Sequence, residues 1–484
     1  MQSRNLGFVL GLLALAGTVA CGGRGVTLPN PTGNYSNASL KGSYVYQIHG
    51  FDTAGNPFRE VGVFTADGAG HITDGSDDSS TSAVATQVTG SYTVAQDGTG
   101  FIDINTSFGA ISLAATLASS SKLQLIEADN TANAGGTAEL QTSSAISGTL
   151  NGAFTFGLHQ EIGAQSHAPA AEVGRLAISG GSGSGSMDEN LAGVFSAPNV
   201  TATLSAPAAF GRGTGTLVNS TTNFTTNFVY YIVDNSKFIL LVSNVNAVGS
   251  GTAELQTGAV SSGLSGNYAF GSRGDDSTFY ARVATVGEFN AASGTIAGLE
   301  DSNQDGTISS SMSLASCYTA AANGRVVVTS VLGSACTSSV TQVFWMVNPA
   351  RAFFLNEGTS SVEDGTADLQ QSQTFSVSTF TQQYSLAMDG LDTIPELLSR
   401  TGTLQFDGAG KLLLNEVVNA SNSGVGAQSP GILSGSYTVA SNGRVVGTLN
   451  GNLDLVMYAV SGSQAYALQT DPSFITSGMV QLQQ

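Results

Sequence analysis

The residues with the clearest chemical potential are Asp301, Asn303 and Asp305, in the run Asp301-Ser302-Asn303-Gln304-Asp305-Gly306-Thr307-Ile308. Side-chain oxygens at alternate positions followed by glycine match the opening of an EF-hand-type calcium loop, where they wrap a hard cation and glycine permits the turn. On that reading the three residues hold Ca²⁺ weakly, because the twelfth position, which should supply a bidentate carboxylate, is Met312 and no flanking helices are expected. A polar turn rich in Asp, Asn and Gly accounts for the same residues more simply.

Other reactive types are sparse. His49, His71, His159 and His167 show neither H-x-x-x-H nor H-E-x-x-H spacing, so spacing gives a zinc centre no support. Asp74, Asp77 and Asp78 cluster in what reads as a loop, where an acid/base pair would rest on proximity alone. No G-x-S-x-G elbow occurs, and Gly180 to Gly185 reads as a flexible turn, not a phosphate loop. The tripeptide Arg273-Gly274-Asp275 is expected in the loop after a strand, and Trp345, the single tryptophan, in a core. No catalytic residue is assigned, and an enzyme is not expected.

The elements that must position these residues are set by an internal repeat. The phrase Gly136-Thr137-Ala138-Glu139-Leu140-Gln141 returns as Gly251-Thr252-Ala253-Glu254-Leu255-Gln256, as Gly365-Thr366-Ala367-Asp368-Leu369-Gln370, and in degraded form as Gly478-Met479-Val480-Gln481-Leu482-Gln483. The closing glutamines are 256 − 141 = 115, 370 − 256 = 114 and 483 − 370 = 113 residues apart, a period that marks a repeat architecture. Each unit opens on its own phrase, with large apolar residues alternating along one strand face, as in Tyr44/Tyr46, Phe154/Phe156, Tyr268/Phe270 and Tyr384/Leu386. Between the two phrases lie hairpins turning at Asp67-Gly68, Asp97-Gly98, Asn323-Gly324, Asp407-Gly408 and Asn442-Gly443, because tight turns need positive φ.

About eight short strands per unit suggest a meander closed into a barrel, with the last strand pairing with the first; a two-sheet sandwich is the alternative. The strand count resembles lipocalin- and avidin-type meanders. The expected fold is therefore all-β, four tandem antiparallel modules at 39–142, 143–258, 259–371 and 372–484. A membrane-spanning barrel is disfavoured, since these strands look shorter than the roughly ten residues that such a span needs.

Ahead of the modules, residues 1–20 read as a signal peptide: Arg4, an apolar run from Leu6 to Ala16, then Gly17-Thr18-Val19-Ala20-Cys21. That ending resembles the lipobox of bacterial lipoproteins, which implies lipidation of Cys21; Thr18 stands where an aliphatic residue is usual, and conventional cleavage is the competing outcome. Residues 21–38 form a Gly-, Pro- and Asn-bearing tether. As a whole the chain resembles the tandem-repeat lipoproteins of environmental, acidobacterial-type bacteria, through its Gly-x-Tyr, Asp-Gly-x-Gly, Asn-Gly-Arg and Gly-Thr-x-x-Leu-Gln phrases. The resemblance implies export and an all-β fold, with no activity attached.

Charge narrows the partners. Fifteen basic residues against 34 acidic give a net charge of −19, without the clustered Lys and Arg that a phosphate backbone requires. The sequence points to an exported envelope protein held to a membrane by its lipid and acting as a structural or binding module toward a protein, glycan or small molecule, not nucleic acid. Pockets inside the barrels would make it a small-ligand carrier instead; a hydrolase ranks below both. Cys317 and Cys336 share the third module, and an exported location allows them to pair. Mass mapping of the exported protein under non-reducing conditions is expected to link these two cysteines; two free thiols would refute the pairing.

Overall fold

The computed structural model describes residues 33–484 apart from 83–84, 108, 164–166, 277–281, 334, 373, 393–396, 421–425 and 452. The signal segment and Cys21 lie outside the described residues. The chain is all-β and forms four closed antiparallel barrels of eight strands in tandem. The first two carry a short additional strand, Thr86–Gln87 and Val194–Ser196.

Each barrel closes as the repeated phrases predict. The first strand of every module (Lys41–Asp52, Gly152–Ile162, Gly266–Asp276, Gln383–Asp392) pairs with the last (Ala132–Leu140, Ala247–Leu255, Ser361–Leu369, Phe474–Leu482). The opening aromatic meets the leucine of the closing phrase each time, as in Tyr44 opposite Leu140 and Tyr268 opposite Leu369. Alternation sends Ala138 and Leu140 toward the barrel while Thr137, Glu139 and Gln141 face outward. The interiors are packed with aromatics, such as Tyr44 stacked on Phe64 and Tyr268 on Phe289. Cys317 and Cys336 are joined by a disulfide that links the strands Thr307–Ala320 and Ala335–Asn348 of the third barrel, on either side of Arg325–Leu332.

The four barrels do not trail along a line; they close into a ring with one seam between each consecutive pair and a fourth between the last module and the first. The outer faces of the barrels are apolar where they meet. Val45, Val61 and Val63 of the first module pack on Val229, Tyr231 and Leu241 of the second. Ala171 and Val173 of the second pack on Trp345, Phe353 and Leu355 of the third. Ala269 and Val286 of the third pack on Val456, Tyr458 and Leu468 of the fourth. Trp345 is thus fully buried as expected, but between barrels and not inside one.

The glutamine of the repeated phrase fastens every seam. Gln141 Nε2 donates to the carbonyls of Phe210 and Ile232 at 2.8 and 2.6 Å, and Gln256 to those of Asn323 and Met346 at 3.0 and 2.8 Å. Gln370 reaches Asn442 and Ala459 at 3.0 and 2.8 Å, and Gln483 reaches Asp97 and Leu117 of the first module at 3.0 and 2.7 Å. The residue after it adds a main-chain bond in each case, from Thr142, Thr257, Gln371 and Gln484 to Val233, Val347, Val460 and Ala118. A planar amide offers two donors in fixed geometry, which suits two carbonyls on adjacent strands.

A second device recurs on the third strand of the first three modules. Asp78 accepts from Arg212 and from Tyr231, Asp188 from Arg325 and Trp345, and Asp301 from Arg444 and Tyr458. Two residues on, Asn190 and Asn303 each donate to three main-chain carbonyls of the next module, as does Asn419 across the closing seam. The closing seam lacks the ion pair: Val417 occupies the aspartate position opposite Thr401, and Thr99 and Thr116 pair where the others have arginine and an aromatic. There Thr401 donates to Thr116 at 3.0 Å.

These contacts correct several expectations. Asp301 and Asn303 are strand residues within Thr295–Gln304, and only Asp305-Gly306 forms the turn, with φ of 49° and 78°. Asp74, Asp77 and Asp78 also lie on a strand, His71–Ser79; Asp74 is exposed, and partners in the barrel and across the seam compensate the burial of Asp77 and Asp78. Arg273-Gly274-Asp275 sits inside the first strand of the third module, not in a loop. The glycine run turns only at Gly180-Gly181, and Ser182–Leu191 is strand. First strands reach 12 residues, longer than expected, and their outward apolar faces are covered by neighbouring modules.

Replacing Gln256 by leucine keeps the volume but strands two carbonyls at a seam. We expect a loss of about 2 kcal/mol in denaturant unfolding; an unchanged midpoint and slope would show that the glutamine does not fasten the seam.

Candidate functional site

The ring axis is lined by the first and last strands of all four modules, and along it lies a cavity of about 330 Å³. The repeated Gly-Thr pairs Gly136-Thr137, Gly251-Thr252 and Gly365-Thr366 face it. Gly157 and Gly271 occupy the same position in successive modules, and small residues are required there. A Cβ on Gly157 would lie 2.9 Å from the Phe353 ring, and one on Gly271 would lie 2.6 Å from Tyr466. The next module's aromatic can approach the axis only over these glycines.

One level further along the first strands, each module contributes one residue to a polar ring: His49, His159, Arg273 and Asp389. They are structurally equivalent, each paired across the barrel with the last strand at Gly135, Ser250, Asp364 and Ser477. Asp389 accepts from Arg273 at 3.1 Å and lies 3.4 Å from His49 Nε2 and 3.7 Å from Arg282. Burial opposes its charge, but His49, Arg273 and Arg282 outweigh that and hold its carboxyl well below the usual range. Burial, reinforced by the Arg273 charge, pulls His49 down to about 4, so its imidazole is neutral at neutral pH.

His159 is in the opposite condition. Its Nδ1 lies 2.6 Å from Asp364 of the third module, and its Nε2 faces Asp275 at 3.7 Å and Glu161 at 3.9 Å. Burial pulls its pKa down, but the carboxylates reverse this and raise it to about 9. Arg59 of the first module donates to Glu161 at 2.6 Å, which brings three modules to one cluster. Burial works against ionisation of Asp275 too, yet His159 and Arg282 keep its pKa low. None of this was legible from histidine spacing, since the partners come from separate repeats.

A second set of charges surrounds the axis toward the glutamine end. Glu139 receives Lys237 at 2.6 Å, Glu254 receives Arg351 at 2.9 Å, and Asp368 receives Arg351 at 2.9 Å and Tyr466 at 2.6 Å. The acidic residue of the repeated phrase therefore pairs with the following module.

The sequence-derived candidates fall elsewhere. Both carboxylate oxygens of Asp301 accept from Arg444, and Oδ2 also from Tyr458; the Asn303 amide is directed at fourth-module carbonyls. Among the aspartates at 74–78, Asp77 alone gains a carboxylate partner, Glu60, through Tyr46, whose hydroxyl donates to Asp77 at 2.7 Å and to Glu60 at 3.3 Å. Burial raises Asp77 to about 6 and raises Glu60 well above the carboxylate range. The pair is sealed inside the first barrel, with Glu60 and Asp77 1% and 4% exposed, so it has no access to a substrate. In the second barrel the cavity is about 20 Å³ and apolar, room for about one water.

No protein-family model and no curated protein matches the chain.

The second barrel also buries Glu172, whose one bonded oxygen accepts from Gln160 at 2.7 Å. Burial, then the charge of Glu189, raises its pKa to about 8. The folded state therefore binds more protons than the unfolded one between about pH 4.5 and 8. This group's contribution to stability falls as pH rises through that window. Glu172→Gln is expected to flatten that part of the stability profile and to raise stability at pH 8; an unaltered slope would contradict the assignment.

Proposed function

We propose that this protein is a lipid-anchored, extracytoplasmic binding protein, a rigid ring whose axial cavity accepts a small polar ligand carrying both charges. The observation that supports the reading is the cavity itself. Its volume is near the lower limit for ligand sites, about 300 Å³. Its walls combine Arg273, Asp364 and Asp389 with the threonine hydroxyls of the first three modules and glycine backbone from all four. Such a lining favours a polar molecule that carries both charges over an apolar one, because Arg273 and Asp389 present opposite charges to the same cavity and an apolar ligand would take water from them without replacing its hydrogen bonds.

The tether agrees with this arrangement. Tyr35, near the start of the described residues, donates to the Gln484 carbonyl at 2.9 Å, at the glutamine end of the ring. The chain therefore enters the ring at the end opposite the polar ring of His49, His159, Arg273 and Asp389. The compact head, stiffened by apolar seams, also serves the scaffold reading, in which the outer surface engages a partner and the cavity holds only water.

Two measurements test the proposal. Cys21→Ser is expected to move the protein from the membrane fraction to the soluble fraction; retention in the membrane would remove the anchor. Titrating the protein with a panel of amino acids and short peptides should give saturable binding that Arg273→Ala weakens at least tenfold. No binding across the panel, or binding indifferent to Arg273, would leave the scaffold reading.

A further inference from the structure

The repeat requires no charge cluster at the seam between the second and third modules. At the position two residues beyond the polar ring the first module has Phe51, whereas the second and third have Glu161 and Asp275. His159, Glu161 and Asp275 converge there, with one donor atom from each lying within 4.8 Å of the others. We infer that these three side chains form a site for a divalent transition-metal ion, Zn²⁺ by preference, with a coordination position left toward the axial cavity.

Three observations carry this. First, His159 Nε2 and Glu161 Oε2 are buried without a hydrogen-bond partner, and Glu161 and Asp275 are each only 5% exposed. Buried polar atoms are seldom left so, and a metal ion would satisfy both. Second, Asp364 holds His159 Nδ1 at 2.6 Å, which fixes the ring and leaves Nε2 as the free donor. A carboxylate on the far nitrogen is the usual support of a metal-binding histidine. Third, Arg59 binds Oε1 of Glu161 and Arg282 lies 3.9 Å from Oδ1 of Asp275. They orient the two carboxylates and leave the other oxygens, Oε2 and Oδ2, for the ion.

One imidazole nitrogen with two carboxylates suits Zn²⁺ and its neighbours and not Ca²⁺, which prefers oxygen alone. Three protein ligands and an open position are the composition of reactive zinc sites, and His159 lines the axial cavity. Nε2 stands 3.7 Å from Oδ2 of Asp275, while ligands on one tetrahedral zinc are about 3.4 Å apart; its 3.9 Å approach to Glu161 is to Oε1, so binding draws Asp275 in slightly and turns the Glu161 carboxylate to bring Oε2 to the ion.

The inference does not depend on the ligand-binding proposal and is tested without it. The full chain, produced without a histidine tag and stripped with a chelator, is titrated with Zn²⁺ by calorimetry and with Co²⁺ by visible absorption. One ion per chain and the intense bands of tetrahedral cobalt are expected. Glu161→Gln and Asp275→Asn should each weaken binding at least tenfold, Asp364→Asn should weaken it about tenfold, and Asp305→Asn should leave it unchanged. Far-UV circular dichroism and melting in chelator confirm that each variant is folded. The cobalt spectrum of the unaltered protein decides the matter even if a variant is not. Absence of stoichiometric binding, octahedral cobalt bands alone, or binding unaffected by Glu161→Gln and Asp275→Asn would overturn the site.

Discussion

A barrel that closes on itself has no free edge and no obligation to hold its neighbour, so this architecture depends on how one closed barrel grips the next. The answer is a side-chain amide given to main-chain carbonyls. Barrel strands are already paired, yet each carbonyl has a second acceptor position, and where strands turn or bulge it points outward. Gln141, Gln256, Gln370 and Gln483 use that spare capacity, and Asn190, Asn303 and Asn419 repeat the device at the other side of the seam. Such bonds depend on the partner's backbone and not on its side chains, so the modules could diverge in sequence while retaining the same grip. The apolar faces supply adhesion and the amides supply register.

Much of the single module could be read in advance. Apolar alternation in the opening phrases, Asp-Gly and Asn-Gly turns and the closing phrase are local signals, and each fixes a strand, a turn or a pairing. The ring was not legible in the same way, because a seam joins residues about a hundred positions apart whose types look unremarkable alone. Asp78 and Asp301 looked like loop acids because their partners, Arg212 and Arg444, belong to the next repeat. One signal was available: Phe228 to Val233 and Val343 to Val347 are continuously apolar. A strand with one wet face alternates, whereas an unbroken apolar run is buried on both faces. The second faces of Val229, Tyr231, Val343 and Trp345 are the seams.

The polar cluster on the axis was illegible for a stricter reason. His49, His159, Arg273 and Asp389 share one structural position, but a sequence comparison of repeats shows three different residue types there and reports divergence. Only the fold shows that the divergence is complementary: one base holds the acid, one histidine stays neutral and the other is charged. Pseudo-symmetry places four variable positions around a point, which gives a site more chemical freedom than a repeated residue would.

The closing seam, where Val417, Thr99 and Thr116 replace the aspartate, arginine and aromatic of the other three, has a consequence for how the ring behaves in time. Neighbouring modules are held near each other by a short linker, and a parted seam between them reforms at high effective concentration. The first and fourth modules share no linker, so their seam is rejoined only if the rest of the arc keeps its curvature. Desolvating a carboxylate and a guanidinium slows such a step, because both must shed water before they meet. A seam of threonine and valine has no such barrier. There the register rests on neutral amide donors, Gln483 and Asn419 among them, so the ring closes at a seam that assembles without burying an arginine–aspartate pair.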